Sequence, residues 1–179
     1  EYELRYVFAP DYLAGYQPLW VNAKVLSEAS FVDGLLRYGD LTFSALVIDV
    51  EWLDMAALQQ VVRLAKEGLP VVMAREPKQP GKNKSEDFTR LYAELMALSS
   101  VSSRPADVLK QEPLLEGEDL PDFWCRQDGE ELYIFVANPA AKKLKYPLRY
   151  GQAFEDQGSV RDVVVNTVAG PQSLQLNFR

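Results

Sequence analysis

The chain has 179 residues, 47% of them hydrophobic and 25% charged, with 19 Lys and Arg against 26 Asp and Glu for a net charge of -7. This excludes a largely disordered chain, allows one large or two small domains, and argues against general binding to nucleic acid or an anionic membrane. Histidine is absent, which removes every Ser-His-Asp and Cys-His arrangement and the commonest zinc ligand, leaving open only an all-oxygen site for a hard cation.

In chain order, "ELRYVFA" (3–9) reads as a strand ending at Pro10, and a turn-rich loop follows with Gly15. Residues 19–29 suit a short helix beginning after Pro18. "SFVDGLLRYG" places two extended runs around Asp33-Gly34, a strong hairpin signal. "FSALVIDV" (43–50) is an almost continuous apolar run, as in an interior strand covered on both faces. From Asp54 to Gly68 the spacing predicts a helix, since Leu58, Val61, Val62 and Ala65 share one face. Asp54 serves as its N-cap and Gly68 as its C′ residue. "LPVVMA" (69–74) then completes a βαβ unit.

"REPKQPGKNK" (75–84) is a polar loop, and a second helix starts at Ser85, with Phe88, Leu91, Tyr92 and Leu95 on one face. "SSVSSRP" breaks it, and a short helix around 105–111 follows, capped by Ser103 or a neighbour. Beyond "EPLLEGEDLP" (112–121) helical periods give way to alternation. "DFWCRQ" and "EELYIFVAN" flank Asp128-Gly129, a second hairpin signal. "LKYPLRY", "DVVVNT" and "SLQLNF" alternate likewise. The expected boundary lies near residue 118, with an α/β layer over 1–117 and an antiparallel β module over 118–179. About five strands and a chain that stops straight off a strand suggest a β module truncated at its C-terminus. The start, on Glu rather than Met and with no signal-peptide pattern, reads as a processed product or excised segment. No apolar run approaches the roughly 18 residues of a membrane span.

In open α/β sheets ligands sit beyond the carboxyl ends of the strands. Asp49, Glu51, Trp52 and Asp54 gather at the end of the 43–50 run, and Arg75-Glu76 ends the next one. Asp49 and Glu51 point the same way if the strand continues. Paired carboxylates serve glycoside hydrolysis, but only at a set separation across a cleft; helix capping and loop solvation explain these acids more simply. "QPGKNKS" fails as a phosphate loop, because Glu76 and Asn83 stand where Gly and Ser or Thr are needed. Lys78, Lys82 and Lys84 then solvate a loop. Trp20, Trp52 and Trp124 offer sugar-stacking surfaces, although core packing is the commoner fate of aromatics. Trp124 faces outward if Phe123 and Cys125 take the inner face, which makes lone Cys125 a structural thiol. Glu116, Glu118, Asp119 and Asp122 lack the spacing of a calcium loop.

"GYQPLWVNAKVLSEASFVDGLLRYGDLTFSALVIDV" (15–50) resembles a segment beyond the catalytic barrel of large α-L-rhamnosidase-type glycoside hydrolases of family 106. "LPDFWCRQDGEELYIFVANPAAKKLKYPLRYGQ" (120–152) resembles the β module that follows there. The likeness covers most of residues 15–179 and rests on the order of segments rather than on one motif. The α/β half is also similar to the β-galactosidase trimerisation domain, a flavodoxin-like relative of class I glutamine amidotransferases. The resemblance implies an α/β fold, with a three-layer flavodoxin-like module followed by a small antiparallel β-sandwich. Amidotransferase activity does not carry over, since no histidine is present and Cys125 lies in the other module. The family's catalytic acids and calcium belong to the barrel, so no catalytic residue, metal or cofactor is transferred.

The expected function is therefore a non-catalytic accessory region of a bacterial carbohydrate-active enzyme, periplasmic or extracellular. Its partner is the parent's catalytic barrel or another subunit, with no nucleic acid and no membrane. The alternative is a carbohydrate-binding module holding an oligosaccharide near Asp49, Glu51, Trp52 and Arg75, or on Trp124. A weaker third reading makes Asp49 and Glu51 the acids of a free-standing enzyme.

Overall fold

The computed structural model describes residues 9–81, 86–137 and 158–178. The chain divides into a continuous unit, Trp20–Gln111, and a discontinuous one, Glu1–Leu19 with Glu112–Arg179. Residues 3–8 of the sequence-predicted strand, the alternating "LKYPLRY" and the loop lysines Lys82 and Lys84 lie outside the described residues.

The continuous unit opens with α1 (Ala23–Glu28), whose Asn22 cap accepts a hydrogen bond from the Val25 N–H at 3.1 Å. An antiparallel meander follows: β1 (Ser30–Val32), β2 (Leu35–Tyr38) and β3 (Leu41–Phe43). Asp33 and Gly34 form its first loop with φ of 54° and 78°, the pair of positive values that a type I′ hairpin turn requires. Beyond Ser44-Ala45 the chain enters a second sheet. There β4 (Leu46–Ile48), β5 (Val71–Met73) and β6 (Val101–Ser102) run parallel in that order. Between them lie α2 (Met55–Lys66) and α3 (Glu86–Met96), and α4 (Pro105–Val108) follows β6.

The start of α2 is fixed by Asp54, whose Oδ1 accepts from the Ala57 N–H at 2.7 Å. Its inner face buries Ala57, Leu58, Val61, Val62, Leu64 and Ala65. All three residues of β5 are buried, so this strand is covered on both faces. Fully burying side chains of this size stabilises by about 1.5–3 kcal/mol each, which makes α2 and β5 the centre of the unit. Arg63 joins α2 to α1, donating to the Leu26 and Ala29 carbonyls at 2.8 and 3.0 Å. These are carbonyls that the end of a helix otherwise leaves without partners. Ser100 Oγ donates to the Ala65 carbonyl at 2.8 Å, adding to the Gly68 N–H that the same carbonyl accepts at 3.0 Å at the end of α2.

Among its described residues the second unit contains the short 3-10 turn Asp11–Leu13 and five strands: β7 (Leu115–Glu116), β8 (Asp122–Asp128), β9 (Glu131–Ala137), β10 (Ser159–Thr167) and β11 (Gly170–Phe178). β10 pairs antiparallel with β11 on one side and β7 on the other, while β8 and β9 form a separate hairpin. The β8–β9 loop is Gly129-Glu130, one residue later than the Asp128-Gly129 pair predicted. Gly129, at φ 61°, takes the first central position, as in a type II′ turn. Gly15, at φ 77°, accepts from the Leu115 N–H at 3.1 Å. Asn166 clamps the same region, its Nδ2 donating to the Pro113 carbonyl at 2.9 Å and to Glu116 Oε1 at 2.6 Å. Leu115, Val163 and Val165 are buried beneath these bonds.

The three-layer flavodoxin-like arrangement and the β-sandwich are not what the chain adopts. It is a mixed α/β protein with four α-helices and several small separate sheets among the described residues. Two causes act in the first unit. The Asp33-Gly34 turn draws residues up to Phe43 into an antiparallel meander, so the 43–50 run supplies only three residues to the parallel sheet. The parallel strands, at three, three and two residues, are shorter than the five to six residues usual for a strand. α2 and α3 also pack against each other, joined by a Lys66–Glu94 ion pair at 2.5 Å. In the second unit the five described strands fall into a three-stranded sheet and a two-stranded hairpin.

Two substitutions test these assignments. Asp54→Ala removes the cap of α2 and is expected to lower stability by about 0.5–2 kcal/mol, with Asp54→Asn retaining most of it, measured by urea denaturation. Gly15→Ala places a Cβ 1.8 Å from the Leu115 carbonyl oxygen at a positive φ. It is expected to cost more than Asp54→Ala in the same measurement.

Candidate functional site at the parallel strand ends

β4 and β5 run side by side, so their C-terminal ends deliver Asp49 and Arg75 to the same edge of the sheet. Arg75 Nε donates to Asp49 Oδ1 at 2.5 Å. The chain beyond each strand continues the pairing. Trp52 and Lys78 form a parallel β-bridge, with the Lys78 N–H donating to the Glu51 carbonyl at 2.8 Å and the Leu53 N–H to the Lys78 carbonyl at 3.0 Å. This backbone register brings two side-chain contacts with it. Lys78 Nζ lies 3.3 Å from Glu51 Oε1 and 5.4 Å from the centroid of the Trp52 ring, a cation–π distance.

Asp49, Glu51, Trp52 and Arg75 thus come together with Lys78, a residue that sequence alone assigns to loop solvation. Each carboxylate is engaged by a cation of the segment after β5. The Trp52 ring, 54% exposed, has the Lys78 ammonium on one face. Asp54 stands apart from this group as the cap of α2. The arrangement is a latch that ties the β4–α2 connection to the segment after β5.

Trp124 belongs to the other unit, on β8, and is 58% exposed. Its neighbour Cys125 is half-buried, and burial pushes its thiol pKa up, opposite to what a nucleophile needs. The Cys125 backbone is held by Gln17. The Cys125 N–H donates to Gln17 Oε1 at 2.8 Å, and Gln17 Nε2 donates to the Cys125 carbonyl at 3.4 Å. A side-chain amide here imitates a neighbouring strand, a contact no local signal in the sequence announces.

The acids of the 116–122 stretch are distributed. Glu116 accepts from Asn166 and Asp119 pairs with Arg161 at 3.1 Å. Among the described residues no group of three or more His, Cys, Asp or Glu is placed to hold a metal ion. A groove of about 540 Å³ beside β7, β10 and β11 contains Glu116, Asp162, Ser173 and Gln175. Its Asp162 accepts from Gln175 Nε2 at 3.0 Å. Outside these sites, Asp107 is held below the usual carboxylate range by the Ser102 hydroxyl and by Arg104, which fixes α4 to β6. No helix among the described residues is long and apolar enough to cross a membrane.

Comparison with protein-family models, curated proteins and solved structures finds no match to this chain.

The latch has a measurable strength. Its Glu51–Lys78 arm is more than half exposed on both sides, so a double-mutant cycle of Glu51→Gln and Lys78→Met is expected to give a coupling below about 1 kcal/mol that shrinks further in 1 M salt. Lys78→Met is also expected to change Trp52 fluorescence, whereas Arg75→Met, which leaves the cation over the ring in place, changes it less.

Proposed function

We propose that this chain is a non-catalytic accessory region of a bacterial carbohydrate-active enzyme whose parent is a glycoside hydrolase. The resemblance of residues 15–50 and 120–152 to the region beyond the barrel of the family-106 rhamnosidases motivates the reading. One observation carries it: the place where an α/β sheet presents its chemistry is occupied by the Asp49–Arg75 and Glu51–Lys78 pairs. Acid and base catalysis on a glycoside needs two carboxyl groups flanking a sugar, one of them free to give up a proton. Here both carboxylates are matched to cations and serve to close a loop. On this reading the partner is the parent's catalytic barrel or a second subunit, and the compartment is the periplasm or the outside of the cell.

The purified chain is expected to release no nitrophenol from p-nitrophenyl α-L-rhamnoside or β-galactoside. The natural reading frame is expected to encode a catalytic barrel upstream. Turnover that Asp49→Asn or Glu51→Gln abolishes would overturn the proposal, as would a natural reading frame that carries no catalytic domain.

A further inference from the structure

The outer face of the β8–β9 hairpin is aromatic. Alternation along β8 directs Phe123 and Cys125 inward and Trp124 and Arg126 outward; along β9 it directs Leu132, Ile134 and Val136 inward and Tyr133 and Phe135 outward. The register sets Trp124 directly opposite Phe135 and Arg126 opposite Tyr133. Trp124, Tyr133 and Phe135 are 58%, 57% and 70% exposed. A buried hairpin face is the ordinary place for three such rings, because each removes a large apolar area from water. Here Phe123 and the smaller side chains turn inward and these three rings turn out.

We propose that this face binds a neutral oligosaccharide by stacking its pyranose rings on Trp124, Tyr133 and Phe135. Three properties select that ligand. The first is shape: rings two residues apart on one strand repeat at about 7 Å, the scale of a single hexopyranose, and cross-strand pairing widens the platform by one ring. The second is charge. Among the described residues this face carries Asp128 and Glu131 beside Arg126, and Arg126 lies 3.8 Å from Asp128. The local excess is negative, which disfavours a polynucleotide or an acidic glycan, since single strands stack on aromatics only within a positive groove. The third is area. The three rings expose roughly 300–450 Å² together, about half of the roughly 800 Å² that each partner of a stable protein interface contributes.

The polar rim suits a polyol. Tyr133 Oη donates to the Glu131 carboxylate, which raises the Tyr133 pKa and leaves acceptor positions on both groups for sugar hydroxyls. The backbone beneath is braced, with Gln17 holding Cys125 on the strand beside Trp124. The inference goes beyond an accessory role and stands apart from it, because it needs no barrel and no rhamnose.

The test is a titration of the full chain with cellohexaose, mannohexaose and xylohexaose, followed by tryptophan fluorescence and calorimetry, with hexagalacturonate as the charged comparison. Saturable binding of at least one neutral hexasaccharide is expected, with hexagalacturonate binding at least about tenfold more weakly. Trp124→Ala and Phe135→Ala are each expected to weaken binding about tenfold, while Trp52→Ala in the other unit leaves it unchanged. Far-UV circular dichroism verifies folding, and Phe135→Tyr, which keeps a ring, is expected to retain binding. Flat titrations with all three neutral sugars would overturn the proposal. So would binding that depends on Trp52 instead, or a sedimenting dimer that Trp124→Ala dissociates. None of these outcomes bears on the nitrophenyl glycoside assay, so the two readings fail separately.

Discussion

The burial of β5 between its neighbours is the constraint from which the rest of the continuous unit follows. Val71, Val72 and Met73 leave almost no surface to solvent, and three residues are too few to hold a parallel sheet by hydrogen bonds alone. Val71 and Met73 share one core with Leu58, Val61 and Leu64 of α2 and Leu95 of α3, all four of them fully buried, while Val72 lies on the opposite face of the strand. Parallel strands need crossover helices to cover them, and here the covering layer contributes more buried residues than the strands do. The sheet is short because the helices, rather than its own length, stabilise it.

That arrangement also explains what happens at the strand ends. Two short parallel strands leave their following segments close together, and the chain continues the pairing outside regular structure through the Trp52–Lys78 bridge. Asp49 meets Arg75 and Glu51 meets Lys78 because the backbone register, carried past the last strand residue, puts each acid beside a base. The ion pairs are therefore consequences of the sheet as well as supports for it. Partly exposed pairs of this kind contribute little singly, and their effect here is to fix where the loop goes. The candidate site and the fold are one piece of architecture at this edge.

Much of this was legible locally. The α2 helix, with Asp54 at one end and Gly68 at φ 105° beyond the other, follows from spacing and cap residues that lie within a few positions of each other. The Asp33-Gly34 turn and the outward Trp124 follow from equally short-range rules. The division of the 43–50 run was not legible, because continuous hydrophobicity does not record where a strand changes partner. Ser44-Ala45 marks the change only once Phe43 is seen opposite Leu36 and Leu46 opposite Val71. Lys78 looks solvated from sequence because its partner Glu51 lies 27 positions away. Tyr133 and Phe135 carried a usable signal: they fall out of phase with Leu132, Ile134 and Val136, so the alternation that placed those three inside also placed the two rings outside.

The Gln17–Cys125 clamp spans 108 positions, and the whole Trp20–Gln111 unit lies between its two ends. Gly15 and Leu115 close a second bond across the same interval. On the ribosome this imposes a schedule. The inserted unit has all of its own strands and helices available once residue 111 has emerged, while the flanking unit must wait for partners that do not yet exist. Because domains settle in the order in which they are synthesised, residues 9–19 pass that interval as a waiting arm, whose strand partners emerge only after the insert is complete.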